Sequence, residues 1–289
     1  MISDIWNMTG PEVYEEFKTF KPPYVKQDIG KVTMVCHISN QAHLLPDTVA
    51  SARAIADEII ILDDCSIDNT KQVAFDLGCR VFSVPEGWIY THGFGALIGF
   101  GISLAGDGYH LQLDAGERLW VRPNHPKLSA DYYWTRRINM ETLGGFESPN
   151  GVRVAWDRGE PRETPVNFIQ MMPSRLVKAS APLNIMGMIH CVFEETFKCF
   201  IPERQSQILI FQEAGRYQNN SDYYKLRKKR LYNKLSVRAV KLDQMSTPFW
   251  DDWYKRKKNM VDQNVVEAEA EIGVLELTDE PIEEAFSAD

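Results

Sequence analysis

Three apolar runs constrain this chain more than anything else in it: KVTMVCHIS (31–39), DEIIILDD (57–64) and CRVFSV (79–84). Each is apolar almost throughout rather than alternating with polar residues, which marks a strand covered on both faces. LPDTVASARAIA (45–56) lies between the first two, with Pro46 at a helix start and helical spacing behind it. IDNTKQVAFDL lies between the second and third, with Ser66 placed to cap it and Gly78 to stop it. GFGALIGFGISLA (93–105) predicts a helix rich in small residues, and GYHLQLDAGE (108–117) a fourth strand. Strand and helix alternating in this way predict parallel β-α-β units.

In such sheets ligands sit beyond the carboxyl ends of the strands. Asp63 and Asp64 end the second strand and Asp114 ends the fourth. Burying an unpaired carboxylate is costly, so these acids are expected to emerge in the ligand crevice. A local alternative stands beside this: Asp at a strand-to-helix turn also serves by bonding nearby backbone.

After residue 118 the alternation fails. DYYWTRRINM (131–140), VRVAWD (152–157), VNFIQMM (166–172) and SRLVKAS (174–180) read as shorter strands extending the sheet, and 221–235 and 247–260 as helices. Residues 1–30 read as a lead-in, 31–215 as the α/β domain, 216–260 as a helical extension and 261–289 as an acidic, disordered tail. From Asp262 to Asp289 there are ten Asp or Glu and no Lys or Arg, so a chain of net charge −8 has a body of +2. A partner for that tail is not identified by its composition. The basic run 225–241 reads as a charged helix face, and nothing points to nucleic acid. There is no membrane-length apolar stretch and no basic-then-apolar leader. Five cysteines without a C-x-x-C pair read as reduced thiols of a cytoplasm-like compartment. HGFGALIGFG lacks the G-x-G-x-x-G spacing of a dinucleotide site, so close helix–sheet packing explains its glycines better. Tyr132, Tyr133, Trp134 and Trp156 read as core, with a sugar groove as the alternative.

With VCHISNQ, LDDCSIDNT and LQLDAGERL in this order and at this spacing, the chain resembles the family 2 glycosyltransferases, which have the GT-A fold. The resemblance implies an α/β, Rossmann-like, mostly parallel sheet flanked by helices, here with a C-terminal helical extension. It implies transfer of a sugar from a nucleotide-diphosphate sugar, UDP-type favoured, to a hydroxyl of a glycan or other acceptor, with inversion. Asp64, or Asp63 beside it, would accept the N3–H of uracil, because an ionised carboxylate is an acceptor only. The backbone around Ile38, Ser39 and Asn40 would form the other edge of the base pocket. Asp114 would hold Mn²⁺ or Mg²⁺, or the ribose, near the diphosphate.

The pattern also departs from the family. Gly116 stands where the second Asp of an Asp-x-Asp element would fall, and Glu117 is the candidate to reach back in its place. Downstream, SRLVKASAPLNIMGMIHCVFE (174–194) offers His190 as a metal-site residue, with a core histidine as the alternative. For the general base the candidates are Glu194, Glu147 and Asp157, followed by Glu195 and Glu160. Arg175 reads as a surface ion-pair residue ahead of a phosphate ligand. The departures leave open a degenerate GT-A domain that binds a glycan or protein without catalysis. Nucleotidyl transfer is disfavoured, since no Gly-rich basic loop follows the first strand.

Overall fold

The computed structural model describes residues 25–122, 124–139, 154–157, 160–163, 169–182, 184–188, 191–193, 205–212 and 235. The predicted alternation is present: β1 (Val32–Ile38), α1 (Leu45–Ala52), β2 (Glu58–Asp64), α2 (Thr70–Asp76), β3 (Arg80–Val84), α3 (Trp88–Leu104) and β4 (Tyr109–Gln112). Then come β5 (Glu117–Val121), β6 (Tyr132–Asn139), β7 (Val154–Asp157), β8 (Glu160–Glu163) and β9 (Ile169–Lys178). The last are β10 (Ile185–Met186), β11 (Val192–Phe193) and β12 (Gln205–Gln212).

Eight strands form one sheet in the order β3-β2-β1-β4-β9-β6-β12-β5. β3, β2, β1 and β4 are parallel neighbours. β9 is antiparallel to both β4 and β6, β12 is parallel to β6, and β5 closes the edge antiparallel to β12. The expected mostly parallel α/β sheet is therefore what forms. Its two faces explain the unbroken apolar runs, since successive side chains point to opposite sides. Met34, Cys36, Ile38, Ile59 and Ile61 pack with Leu45, Val49 and Ala52 of α1. Val35, Ile60, Leu62, Phe82 and Val84 pack with Trp88, Leu97 and Phe100 of α3.

Local departures from expectation have physical causes. α2 starts at Thr70 with Asn69 as its N-cap, and Ser66 Oγ, expected as the cap, accepts the Asn40 N–H instead. α3 starts at Trp88 and is broken at Gly93, whose φ of 83° and ψ of 168° are not helical. There the Phe94 N–H leaves the helix ladder and donates to Met188 O at 2.7 Å. The fourth strand ends at Gln112, and Gly116, at φ 81°, turns the chain into β5. The two strands expected over 166–180 are one strand, β9, running through Pro173. Its register with β6 slips between Tyr133 and Thr135, and Pro173, with no N–H to give a ladder, sits at that slip. Tyr132 and Tyr133 are core residues.

The lead-in to residue 24, the acidic tail and the extension helices lie outside the described residues, except that Leu235 is buried in the α3-side cluster. No helix among the described residues is long and apolar enough to cross a membrane. Cys36, Cys65, Cys79 and Cys191 are not joined in disulfides.

Candidate functional site

The strand register assembles a row of polar side chains at the carboxyl ends of β2, β1 and β4. His37 pairs with Leu62 across β1 and β2, and Val35 pairs with Gln112 across β1 and β4. Residues two apart share a face. His37 thus lies on the α3 side with Val35, Asp64 follows Leu62 on that side, and Asp114 follows Gln112. His37 Nε2 stands 3.9 Å from Asp64 Oδ2, with their side chains 23% and 14% exposed. The Phe94 ring of α3 meets the His37 imidazole edge-on, with centroids 5.4 Å apart.

Asp63 points the other way. It is fully buried, and its Oδ2 accepts the Ser66 N–H at 3.1 Å. Burial pushes its carboxyl above the usual carboxylate range, against the hydrogen bonding from Ser66 that favours the charge. Of the two adjacent acids, Asp63 braces the turn, as the local alternative has it, and Asp64 lies on the α3 side beside His37.

The loops after β1 and β2 are stitched together. Ser39 Oγ donates to Asp64 O at 2.8 Å. The Asn40 N–H donates to Ser66 Oγ at 2.8 Å. Asn40 Oδ1 accepts from Ile67 N at 2.8 Å and Asp68 N at 3.0 Å. Asn40 holds a left-handed φ of 53°, which Asn tolerates better than most residues. Ile38 is core, on the α1 side.

At the other end of the row, Glu117 Oε2 accepts the Asp114 N–H at 2.9 Å. Its carboxylate, however, is wholly buried. Arg175 Nη1 lies 3.3 Å from Glu117 Oε2, and Arg137 Nη1 lies 3.6 Å from Glu117 Oε1. Arg175 also faces both oxygens of Asp114 at 3.4 Å. Expected as a surface ion pair, Arg175 is instead 8% exposed. It sits where the β9 register slips, and bulges of this kind re-aim side chains. Asp114 keeps 29% of its side chain exposed, so it is the open acid of this turn. Two α1 side chains pin the turn from below: the Gly116 N–H donates to Thr48 Oγ1 at 3.1 Å and the Leu119 N–H to Ser51 Oγ at 3.0 Å.

Residues 32–115, which carry this row from β1 to Asp114, match the family model described as glycosyl transferase family 2. This segment is similar to the family 2 glycosyltransferases. Its sheet, mostly parallel with helices on both faces, has the GT-A fold class. Among solved structures, glucosyl-3-phosphoglycerate synthase from Mycobacterium tuberculosis, in complex with Mn²⁺, UDP and its product, is 17% identical with a TM-score of 0.29; the match covers 38% of this chain and 44% of that one. Mannosyl-3-phosphoglycerate synthase from Rubrobacter xylanophilus is 22% identical with a TM-score of 0.30, covering 38% and 40%. A mannosyltransferase from Pyrobaculum calidifontis, in complex with GDP-mannose and Mn²⁺, is 13% identical with a TM-score of 0.34, covering 92% and 82%. The chain thus spans under half the length of the first two.

Within the matched segment, the row places Asp64 and Asp114 on either side of β1, with Ser39, Asn40 and Asp63 building the loops that hold it. Asp157 lies on β7, where it pairs with Glu160 of β8 in a separate two-stranded ribbon. Glu147, His190 and Glu194 lie outside the described residues, as does Glu195. No cluster of three or more acid, His or Cys side chains suited to a metal occurs among the described residues. Sequence reasoning missed His37, Arg137, Thr48 and Ser51. For His37 the available signal was a lone imidazole ending an apolar strand.

Proposed function

We propose that this protein is a glycosyltransferase that takes a sugar from a UDP-type nucleotide sugar and passes it to a hydroxyl of a glycan or other acceptor, with inversion at the anomeric carbon. One observation carries the reading: Asp64 and Asp114 stand at the carboxyl ends of β2 and β4, either side of β1, inside the segment that matches the family 2 model. Asp64 accepts the imide N–H of the base, and the Ser39–Asn40 backbone forms the other edge of the base pocket. Asp114 faces the ribose and diphosphate.

A divalent cation suits Asp114. Mg²⁺ and Mn²⁺ take oxygen ligands and share them with substrate phosphates, so one open protein carboxylate meets their demand. Bound there, with His190 as a second protein ligand, the cation would offset charge on the departing nucleoside diphosphate. Glu117 is assigned a supporting role, holding the Asp114 backbone and the Arg175 guanidinium. In the reaction the acceptor oxygen bonds to the anomeric carbon as that carbon's bond to phosphate oxygen breaks. The electron pair leaves with the nucleoside diphosphate, and the hydroxyl proton passes to a carboxylate, for which Glu194, Glu147 and Asp157 are proposed.

Calorimetry with UDP, GDP and TDP sugars, with and without Mn²⁺, tests this reading. UDP-sugar binding is expected, weakened in Asp64→Ala, with product formation lost in Asp114→Ala. Absence of binding by all three at millimolar concentration would refute it. A second reading, a degenerate GT-A domain that binds a glycan or a protein without turnover, is favoured by Gly116 and by the enclosure of Glu117. Turnover that Asp114→Ala abolishes would eliminate that reading.

A further inference from the structure

The roles above give Asp114 the cation and diphosphate but leave Arg175, which is set against it, without one. Arg175 Nη1 lies 3.4 Å from Asp114 Oδ1 and Nη2 lies 3.4 Å from Oδ2, so the guanidinium fork matches both oxygens of the carboxylate. The fork is held from behind. Nη1 lies 3.5 Å from Gln112 O, and the two nitrogens face the enclosed Glu117 carboxylate at 3.3 Å and 3.4 Å. The Arg175 side chain is 10% exposed and that of Asp114 29%, which puts the guanidinium on the inner side of the carboxylate. Burial opposes the guanidinium charge, but Glu117 and Asp114 outweigh it and raise the pKa. The four side chains of the cluster, Asp114, Glu117, Arg175 and Arg137, therefore sum to zero charge.

We propose that Arg175 is a positioning residue of the donor site, which holds the Asp114 carboxylate in one plane and sets how tightly that carboxylate takes a divalent cation. This rests on the assignment of Asp114 to the cation and diphosphate. A cation drawn to Asp114 meets oxygens whose charge the guanidinium already balances, and the two positive charges repel across the carboxylate. By itself the turn is a weak cation site. A nucleoside diphosphate changes that, because its negative charge is attracted to the cation and to Arg175 alike. Cation and diphosphate then strengthen each other's binding by the same factor. A role confined to stability has a different signature. Loosening the turn weakens every ligand, whereas removing a positive charge strengthens Mn²⁺ and weakens UDP.

The test titrates Mn²⁺ into the full chain without nucleotide, following the free ion by electron paramagnetic resonance. Binding that Asp114→Ala removes is assigned to the turn, which sets aside ions held elsewhere, as by the acids of 262–289. Arg175→Met is expected to bind Mn²⁺ there about tenfold more tightly than the wild type. Arg175→Lys, which keeps the charge but not the fork, should stay near the wild type. In calorimetry at one fixed excess of Mn²⁺, Arg175→Met should bind UDP about tenfold more weakly. The proposal is overturned if Arg175→Met binds Mn²⁺ no more tightly than the wild type, or if Arg175→Lys gains as much. Should Arg175→Met fail to fold, Arg175→Met/Glu117→Gln compared with Glu117→Gln alone carries the same expectation. Weaker UDP binding in Asp114→Ala, with no Mn²⁺ gain in Arg175→Met, would sink this inference and spare the assignment of Asp114. UDP binding by Asp114→Ala at wild-type strength would sink both.

Discussion

Arg175→Met is the substitution that most directly probes the buried charge network. In the wild type Glu117 is wholly enclosed, with Arg175 at 3.3 Å and Arg137 at 3.6 Å. Removing one partner from a buried ion pair costs about 3–5 kcal/mol, because the remaining charge stays desolvated. Two features place this case at the lower end. Arg137 still faces Glu117, and Asp114, the other carboxylate losing its guanidinium, is 29% exposed and keeps water. A loss of about 3 kcal/mol is therefore expected, a fall in Tm of roughly 6–12 °C for a domain of this size. Methionine keeps much of the apolar stem, so the loss reports charge more than packing. Circular dichroism melts and urea midpoints at pH 7 measure it. The double variant Arg175→Met/Glu117→Gln should recover a substantial part of the loss, since it removes the stranded charge as well. A single variant within about 0.5 kcal/mol of wild type, or a double variant no more stable than the two losses added, would refute the buried-pair argument.

Three further outcomes follow from the same geometry. Burial, with Arg175 adding, pushes the His110 imidazole down to about 3, and a folded-state pKa below the unfolded one means stability that is present above about pH 6.5 and lost as pH falls through it. Between pH 6.5 and 5 that loss is about 2 kcal/mol, with His125, also lowered by burial, acting in the same direction; His110→Gln should shrink the Tm difference between pH 7 and pH 5, and an unchanged difference would contradict the assignment. Thr48→Val keeps the shape but removes the acceptor for the buried Gly116 N–H, so a loss of about 1–3 kcal/mol in urea denaturation is expected, together with weaker UDP binding as the Asp114 turn loosens. Gly95→Ala should cost about 1–3 kcal/mol, because its Cβ would lie 2.5 Å from Gly187 O, whereas Gly99→Ala, meeting only Ile185 Cδ1 at 3.5 Å, should be tolerated; equal melts for the two would show that α3 and the 185–188 segment are not packed backbone to backbone.

What could be read in advance divides along a physical line. The strands from β1 to β4 were legible because each is buried on both faces and announces itself as a local apolar run. The placing of Asp64 and Asp114 was legible too, since an apolar strand that stops on an acid delivers that acid to the sheet's carboxyl edge. Separating Asp63 from Asp64 was not. Alternation puts them on opposite faces, but which face opens to the crevice depends on where α1 and α3 pack, and two adjacent letters hold no record of that. Arg175 is the sharper case. Inside SRLVKAS it has the local pattern of a surface residue, yet it is buried because β9 inserts between β4 and β6 and because its register slips beside Pro173. Its two carboxylates, Asp114 and Glu117, come from a turn some sixty residues earlier in the chain. Neighbourhood across a sheet is decided by which strands pair, and pairing is a property of the whole sheet's packing. Proline in the strand was the one local mark of the slip, and it fixes where the ladder breaks without saying which side chain the break will turn inward.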